Sequence, residues 1–418
     1  MRAAILVTGD EILRGRTEER NARHLARDLE ARGVEVVRWE MAGDDREGLV
    51  AALRRLLASG ADLVLTSGGL GPTHDDVTMA AVAEATGRDL ALDAGALEMV
   101  RAHSTALVTD DEVRRLVQEK QATLPAGATV LPPPGTAPGC ALVHEGVVVV
   151  VLPGPPWELE RMWADSVGIE PVAGLLARAG GAHERVLRLY GVPESQLVAM
   201  VRDVEPEAWA RLRVGICARD AELEVTMRAA PGEAAAADAL EGLIAEGAGE
   251  RLFSRDGTTV DEIVARRLIA AGQTVAVAES CTGGLLGGRL TARAGSSAYV
   301  LGGVIAYANE VKEGLLGVDR AILETHGAVS AECAEAMAAG ARERLGADWA
   351  LSVTGVAGPG GGTEEKPVGL VYVGIAGPDG TTAHVELRRG GTRDAIRSRS
   401  VVAALHLLRR ALPEAHPA

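Results

Sequence analysis

Ser280 stands where a hydroxyl can do chemistry. Val275–Gly284 reads Val-Ala-Val-Ala-Glu-Ser-Cys-Thr-Gly-Gly. The apolar run Val275 to Ala278 predicts a strand, and Gly283 and Gly284 predict a tight turn into a helix. Open α/β sheets bind their ligands at such strand ends. The unpaired N–H groups of a first helical turn can hold an anion or an oxyanion. A free serine hydroxyl is inert near neutral pH, so a base must take its proton. No histidine is an obvious partner: His326 reads as a helix start and His384 as a strand residue. Lys312, in Tyr307-Ala-Asn-Glu-Val-Lys312, is the better candidate. Burial or a neighbouring cation turns a lysine into a usable base. Tyr307 would relay the proton or orient the amine. Ser297, at a second strand–helix corner, is an alternative nucleophile.

Two further pieces belong with these. The loop from Thr354 through Gly355 to Thr363 is glycine-rich and follows a strand, so its N–H groups can form a nest for an anion. Arg393 and Arg397 are one helical turn apart and can converge on a phosphate. Each piece also has a plainer reading. Ser280 and Ser297 are good helix caps, Lys312 fits a solvated helix face, the glycine loop need only be mobile, and the arginines fit a basic surface.

The N-terminal third carries a second set. Ala3–Thr8 and Asp62–Thr66 read as buried strands, each followed by a polar loop. Gly68, Gly69 and Gly71 allow close approach of backbone to a phosphate. Asp75 and Asp76, with Asp10 or Glu11, are candidate ligands for a hard divalent cation. A tight turn before a helix N-terminus, where Asp is favoured anyway, accounts for the same residues.

The elements that must position these residues alternate. Strands at 3–8, 34–41, 62–66 and 147–152 are separated by helical stretches, which predicts a doubly wound parallel sheet. Residues 171–252 read as a small α+β module with a hairpin at 213–228. Thr259-Val-Asp-Glu262 is a capping box. The helix that it opens leads to the Ser280 strand, a strand at 299–307, a helix at 330–345, a strand at 349–353, two paired strands at 368–389 and a closing helix at 392–412. The expected fold is α/β: two doubly wound three-layer domains, 1–170 and 253–418, joined by the module at 171–252.

Composition narrows the function classes. The formal charge is −15, which opposes broad nucleic-acid or anionic-membrane binding but not a small anion in a local basic pocket. Cys140, Cys217, Cys281 and Cys333 form no Cys-x-x-Cys pair, so neither a zinc cage nor a disulfide framework is expected. The N-terminus turns polar too early for a signal peptide, and no apolar run has membrane-spanning length. A cytoplasmic protein without membrane partners is the expectation.

Longer motifs carry a family resemblance. Thr8-Gly-Asp-Glu-Ile-Leu-x-Gly15, Thr66-Ser-Gly-Gly-Leu-Gly-Pro-Thr-x-Asp-Asp76 and Leu152-Pro-Gly-Pro-Pro156 resemble the molybdopterin-binding domain family, and more closely the N-terminal domain of the CinA (competence/damage-inducible) family. Ala278-Glu-Ser-Cys-Thr-Gly-Gly284, Tyr307-x-Asn-x-x-Lys312, Thr354-Gly-Val-Ala-Gly-Pro-Gly-Gly-Gly362 and Lys366-Pro-Val-Gly369 resemble the CinA C-terminal domain. Four ordered motifs are far more specific than one glycine loop.

The resemblance implies a bifunctional enzyme of pyridine-nucleotide salvage. At the C-terminal site it implies nicotinamide mononucleotide deamidation without a metal. Ser280 would attack and Lys312 would move the proton. N–H groups near Cys281, Thr282 and Gly283 would hold the oxyanion. Thr354 and the glycine loop would hold the nucleotide, and Arg393 or Arg397 its phosphate. Asn309 belongs to the same motif and is counted with the binding residues. At the N-terminal site the resemblance implies metal-dependent hydrolysis of ADP-ribose. The pyrophosphate would lie on Gly68, Gly69, Gly71 and Thr73, with a divalent metal on carboxylates such as Asp10, Asp75 and Asp76. It also implies a KH-like middle module and a homodimer. No Gly-x-x-Gly clamp lies between His183 and Glu250, so nucleic-acid binding by that module is not expected. A molybdopterin-binding or adenylyl-transferring protein and a competence-associated nucleic-acid factor are the alternatives.

Overall fold

Strand Arg2–Thr8 alternates between two cores. In the computed structural model, Ala4 and Leu6 face Leu49, Leu53 and Leu56, three residues of the helix Arg46–Leu57. Ala3, Ile5 and Val7 face Leu25 and Leu29 of the helix Asn21–Ala31, together with Leu159 and Trp163 of the helix Pro156–Ser166. Side chains of a strand point alternately to its two faces, so a run that is apolar throughout must be covered on both. The result is three layers. The structure describes residues 1–103, 110–179, 183–202, 204, 206–229 and 232–414.

The sheet runs Glu35–Ala42, Arg2–Thr8, Leu63–Ser67, Val147–Leu152, Gly139–His144, Thr129–Leu131. Its first four strands are parallel, and Gly139–His144 is antiparallel to both of its neighbours, Val147–Leu152 and Thr129–Leu131. The four strands read from the sequence are thus parallel, as expected; the strands Thr129–Leu131 and Gly139–His144 were not anticipated. Gly139–His144 returns into Val147–Leu152 through Glu145 and Gly146, both at positive φ (49° and 86°), the conformation that a two-residue hairpin needs.

The chain divides into two compact units, Met1–His183 and Glu184–Ala418. The expected boundary at 170 is too early, because Val172 and Leu175 of the short helix Val172–Leu176 are buried in the first unit's core.

The second unit opens with the small module. Its sheet order is Gly215–Arg219, Glu222–Ala229, His183–Tyr190, Leu252–Ser254. Val225 and Met227 on the sheet meet Leu240 and Ile244 of the helix Ala234–Ala248. The remainder is a second three-layer arrangement, with sheet order Val300–Ile305, Val275–Glu279, Trp349–Gly355, Leu370–Ala376, Thr382–Arg388. The first three strands are parallel; the last two form the expected antiparallel pair. Ala276 and Ala278 pack toward Leu316 and Met337, whereas Val275 and Val277 pack toward Val264, Leu286 and Leu405. Among the described residues no helix is long and apolar enough to cross a membrane.

Candidate active site at the Ser280 corner

Ser280 directly follows the strand Val275–Glu279, and its N–H donates to Val353 O at 2.8 Å. The neighbouring strands Val300–Ile305 and Trp349–Gly355 run parallel to it, so the segments after all three converge on one edge of the sheet. Ala306 follows the first of these and leads through Ala308, the N-cap, into the helix Asn309–Leu316. That helix carries Lys312 back beneath the corner. Lys312 is 1% exposed. Its Nζ lies 2.8 Å from Ala306 O, 3.1 Å from Tyr307 O and 3.4 Å from Ser280 Oγ. Burial holds the ammonium below its ordinary pKa, opposed by the carboxylate of Glu310. The solvated-face reading of Lys312 is thereby set aside.

A cleft of about 260 Å³ opens beside this pair, lined by Ser280, Cys281, Tyr307, the glycine loop from Gly355 to Gly361, and Arg393. Cys281 is itself buried, which pushes its thiol up to about 11 and leaves it neutral. Tyr307 is 62% exposed, and it is its backbone carbonyl that touches Lys312. Asn309 is exposed at the helix start. Gly355 ends its strand and lines the cleft. Thr354 is buried, with its hydroxyl donating to Ala328 O at 2.6 Å, so its side chain supports the loop behind the cleft.

The two arginines diverge. Arg393 lines the cleft and donates to Gly358 O at 2.7 Å. Arg397 is turned to the serine's own turn: Nε donates to Cys281 O at 3.1 Å and Nη2 to Thr282 O at 2.8 Å. Converging guanidinium groups were expected; the structure brings one to the cleft and spends the other on backbone.

Ser297 is not at this corner. It is exposed, in the short 3-10 turn Ser296–Ala298 that precedes the strand Val300–Ile305. Val300 pairs with Val275 at the start of the strand Val275–Glu279, whereas Ser280 follows that strand's end. The two serines therefore sit at opposite edges of the sheet, about 16 Å apart along a five-residue strand.

The turn after Ser280 also differs from expectation. Gly284 N, Leu286 N and Gly287 N all donate to the carboxylate of Glu279, which is 1% exposed. The first-turn N–H groups expected to hold an oxyanion are therefore already taken, and Gly283 N is bound to Ser280 O. Among the described residues, the N–H groups of Cys281 and Thr282 have no backbone acceptor, and the buried Thr282 hydroxyl has no partner. Glu279 escaped sequence reading, because one polar residue ending an apolar strand is ordinary. A signal for Lys312 was available: only Lys120, Lys312 and Lys366 among 43 basic residues are lysine. A lysine can be neutralised by burial, whereas arginine cannot.

In the first unit, Gly69 (φ 68°) turns so tightly that a Cβ would stand 2.2 Å from Thr78 Oγ1. Gly69, Gly71, Asp76 and Lys120 line a cleft of about 220 Å³. Gly68 lies behind it, its N–H bound to Leu152 O. Asp76 accepts from Thr73 N at 2.9 Å and Thr73 Oγ1 at 2.5 Å, and Lys120 Nζ donates to Thr73 O. Hydrogen bonding from Thr73 holds the carboxyl of the exposed Asp75 below the usual carboxylate range. Asp10 is paired with Arg14 at 2.5 Å. Among the described residues no three His, Cys, Asp or Glu side chains gather as a metal-ligand set. Asp10, Asp75 and Asp76 are therefore not gathered into one ligand set among the described residues.

The fold and this corner define an α/β protein of two units with a serine–lysine pair at the edge of the second sheet. Residues 257–412 match the CinA C-terminal domain, and residues 4–172 match the probable molybdopterin binding domain. A CinA-like protein of Mycolicibacterium vanbaalenii is 46% identical over 418 residues, covering 98% of each chain. Another, of Mycobacterium tuberculosis, is 43% identical over 422 residues, covering 98% of this chain and 97% of that one. A solved structure, the competence/damage inducible protein of Agrobacterium tumefaciens, is 47% identical, covering 36% of this chain and 93% of that one with a TM-score of 0.34. The chain belongs to the CinA family.

Proposed function

We propose that the Ser280 corner hydrolyses a carboxamide, that of nicotinamide mononucleotide, giving nicotinate mononucleotide and ammonia. The environment of Lys312 is the observation that carries this reading. A neutral amine has two N–H groups and one lone pair. Ala306 O and Tyr307 O can accept the two N–H groups, which leaves the lone pair for the hydroxyl of Ser280. Burial favours that neutral state. The 3.4 Å separation is long for a hydrogen bond, as is common before substrate binds.

Ser280 Oγ bonds to the carboxamide carbon as its proton passes to Lys312. The N–H groups of Cys281 and Thr282 stabilise the oxyanion. The C–N bond then breaks, and protonated Lys312 gives its proton to the leaving nitrogen, which departs as ammonia. Water, deprotonated by Lys312, attacks the acyl-enzyme. The ester bond breaks, and the proton returns to Ser280. Arg393, at the cleft, is the cation placed to hold the phosphate. The test is the appearance of nicotinate mononucleotide and ammonia in equal amounts, with and without chelator. Release that persists in chelator supports the reading; release from no preparation refutes it.

For the first unit we carry ADP-ribose hydrolysis to AMP and ribose 5-phosphate as a second reading, supported by the cleft in which Lys120 stands beside Gly69 and Gly71. Among the described residues its carboxylates do not gather into a three-residue ligand set. Titration of the intact chain with ADP-ribose, and separately with a pterin, separates this reading from a molybdopterin-binding or adenylyl-transferring role. A homodimer without a nucleic-acid partner completes the proposal, and sedimentation with and without DNA measures it.

A further inference from the structure

The turn that carries Ser280 is gripped from two sides by charges that the proposed chemistry does not consume. Within it, Glu279 Oε2 accepts from Gly284 N and Leu286 N, each at 3.0 Å, and Oε1 accepts from Gly287 N at 2.8 Å. A buried carboxylate is tolerated when its lone pairs are met, and a helix N-terminus meets them well. From the closing helix Arg393–Ala411, Arg397 forks onto Cys281 O and Thr282 O. Gly283 and Gly284, at φ 58° and 96°, let the chain reverse between the two grips. The N–H groups of Cys281 and Thr282 lie on the segment so held, and no backbone acceptor among the described residues takes them.

We propose that Glu279 and Arg397 are positioning residues of the serine–lysine site. Together they fix residues 280–284 in one backbone path. That path keeps Ser280 within reach of Lys312 and leaves two N–H groups for the oxyanion. Their removal slows acylation and leaves substrate affinity nearly unchanged. The proposal rests on Ser280 being the nucleophile, and it takes Arg397 out of phosphate binding.

The test uses the full chain and two readouts. One is kcat and KM for nicotinamide mononucleotide. The other is the rate at which a fluorophosphonate phosphonylates Ser280, forming a Ser–O–P bond and expelling fluoride as the proton leaves, followed by intact mass. Arg397→Met is expected to lower both kcat and the labelling rate by about a hundredfold, the size of a misplacement of roughly 1 Å, while KM moves less than about threefold. Arg397→Lys restores little, because an ammonium cannot fork onto two carbonyls. Glu279→Gln shows the same pattern; if it does not fold, the Arg397 variants decide, since that side chain is 23% exposed. Folded variants with unchanged kcat and labelling overturn the proposal. So does a raised KM at constant kcat for Arg397→Met, which makes Arg397 a phosphate ligand. Wild-type protein that neither labels nor releases ammonia overturns the deamidase reading and this proposal with it. If wild type labels but releases no ammonia, the substrate is wrong, and the labelling rates alone decide for or against the two positioning residues.

Discussion

At the scale of single residues the proposed chemistry depends on the proton of Lys312. Burial lowers its pKa from the ordinary 10.5, so the free amine proposed to accept the serine proton is populated as pH rises through that lowered value. The rate is therefore expected to climb with pH on a limb that ends below 10.5. Lys312→Arg should abolish that limb and cost about 10² to 10⁴ in kcat, since a guanidinium stays protonated. A pH–rate profile of both proteins checks it; an unshifted limb in Lys312→Arg would assign the base elsewhere. Arg393→Ala should instead raise KM by about tenfold or more with kcat nearly kept, the mark of lost ground-state binding, and initial rates over a range of substrate concentration measure it. Ser280 and Lys312 were legible in the sequence because a strand end and an ordered motif mark them. What each arginine grips was not legible. Spacing puts Arg393 and Arg397 on one helix face, but it does not say that backbone carbonyls of residues 281 and 282 lie under one of them.

At the scale of elements, the helix that leads to the Ser280 strand is held by its cap. Thr259 Oγ1 accepts from Glu262 N at 3.3 Å, and Glu262 Oε2 accepts from Thr259 N at 3.0 Å, as the capping-box spacing predicts. Thr259→Ala should cost about 1 kcal/mol, read as a lower urea midpoint at unchanged slope. No shift in midpoint would show that packing alone holds the helix Val260–Ala271. Most elements were legible in this way, from local caps and apolar periods. The hairpin at Glu145–Gly146 was not, because a continuous valine run from Val147 reads equally as a parallel strand buried on both faces. Ser297 fell to a similar limit: sequence marks a corner, and only strand register says which edge it occupies.

At the scale of the molecule, the small module and the Ser280 domain form one unit joined at a buried histidine. His406, on the same closing helix as Arg393 and Arg397, stacks on Tyr190 at 3.8 Å and meets Phe253 edge-on at 4.6 Å. Its Nε2 is 2.6 Å from Glu222 Oε1, and Arg409 Nε donates to its Nδ1 at 3.2 Å. Arginine only donates, so Nδ1 carries no proton and His406 is neutral, with Nε2–H donating to Glu222. Burial, opposed by the Glu222 bond and reinforced by Arg409 and Arg410, lowers its pKa from 6.5. A base whose folded pKa lies below its unfolded value contributes stability that is full above 6.5 and is lost as pH falls from there through the lowered folded value. His406→Gln should therefore cost more melting temperature at pH 8 than at pH 5.5; an equal cost at both would contradict the neutral assignment. The sequence separates residues 222 and 406 by a whole domain, so nothing local announced this junction.

Ser280, served by Lys312, is proposed to open the carboxamide of nicotinamide mononucleotide. The most direct measurement is ammonia release by wild type, Ser280→Ala and Ser297→Ala under the same conditions. The account predicts release by wild type, release at nearly the wild-type rate by Ser297→Ala, and none above background by Ser280→Ala. Release by Ser280→Ala, with loss in Ser297→Ala, would contradict it.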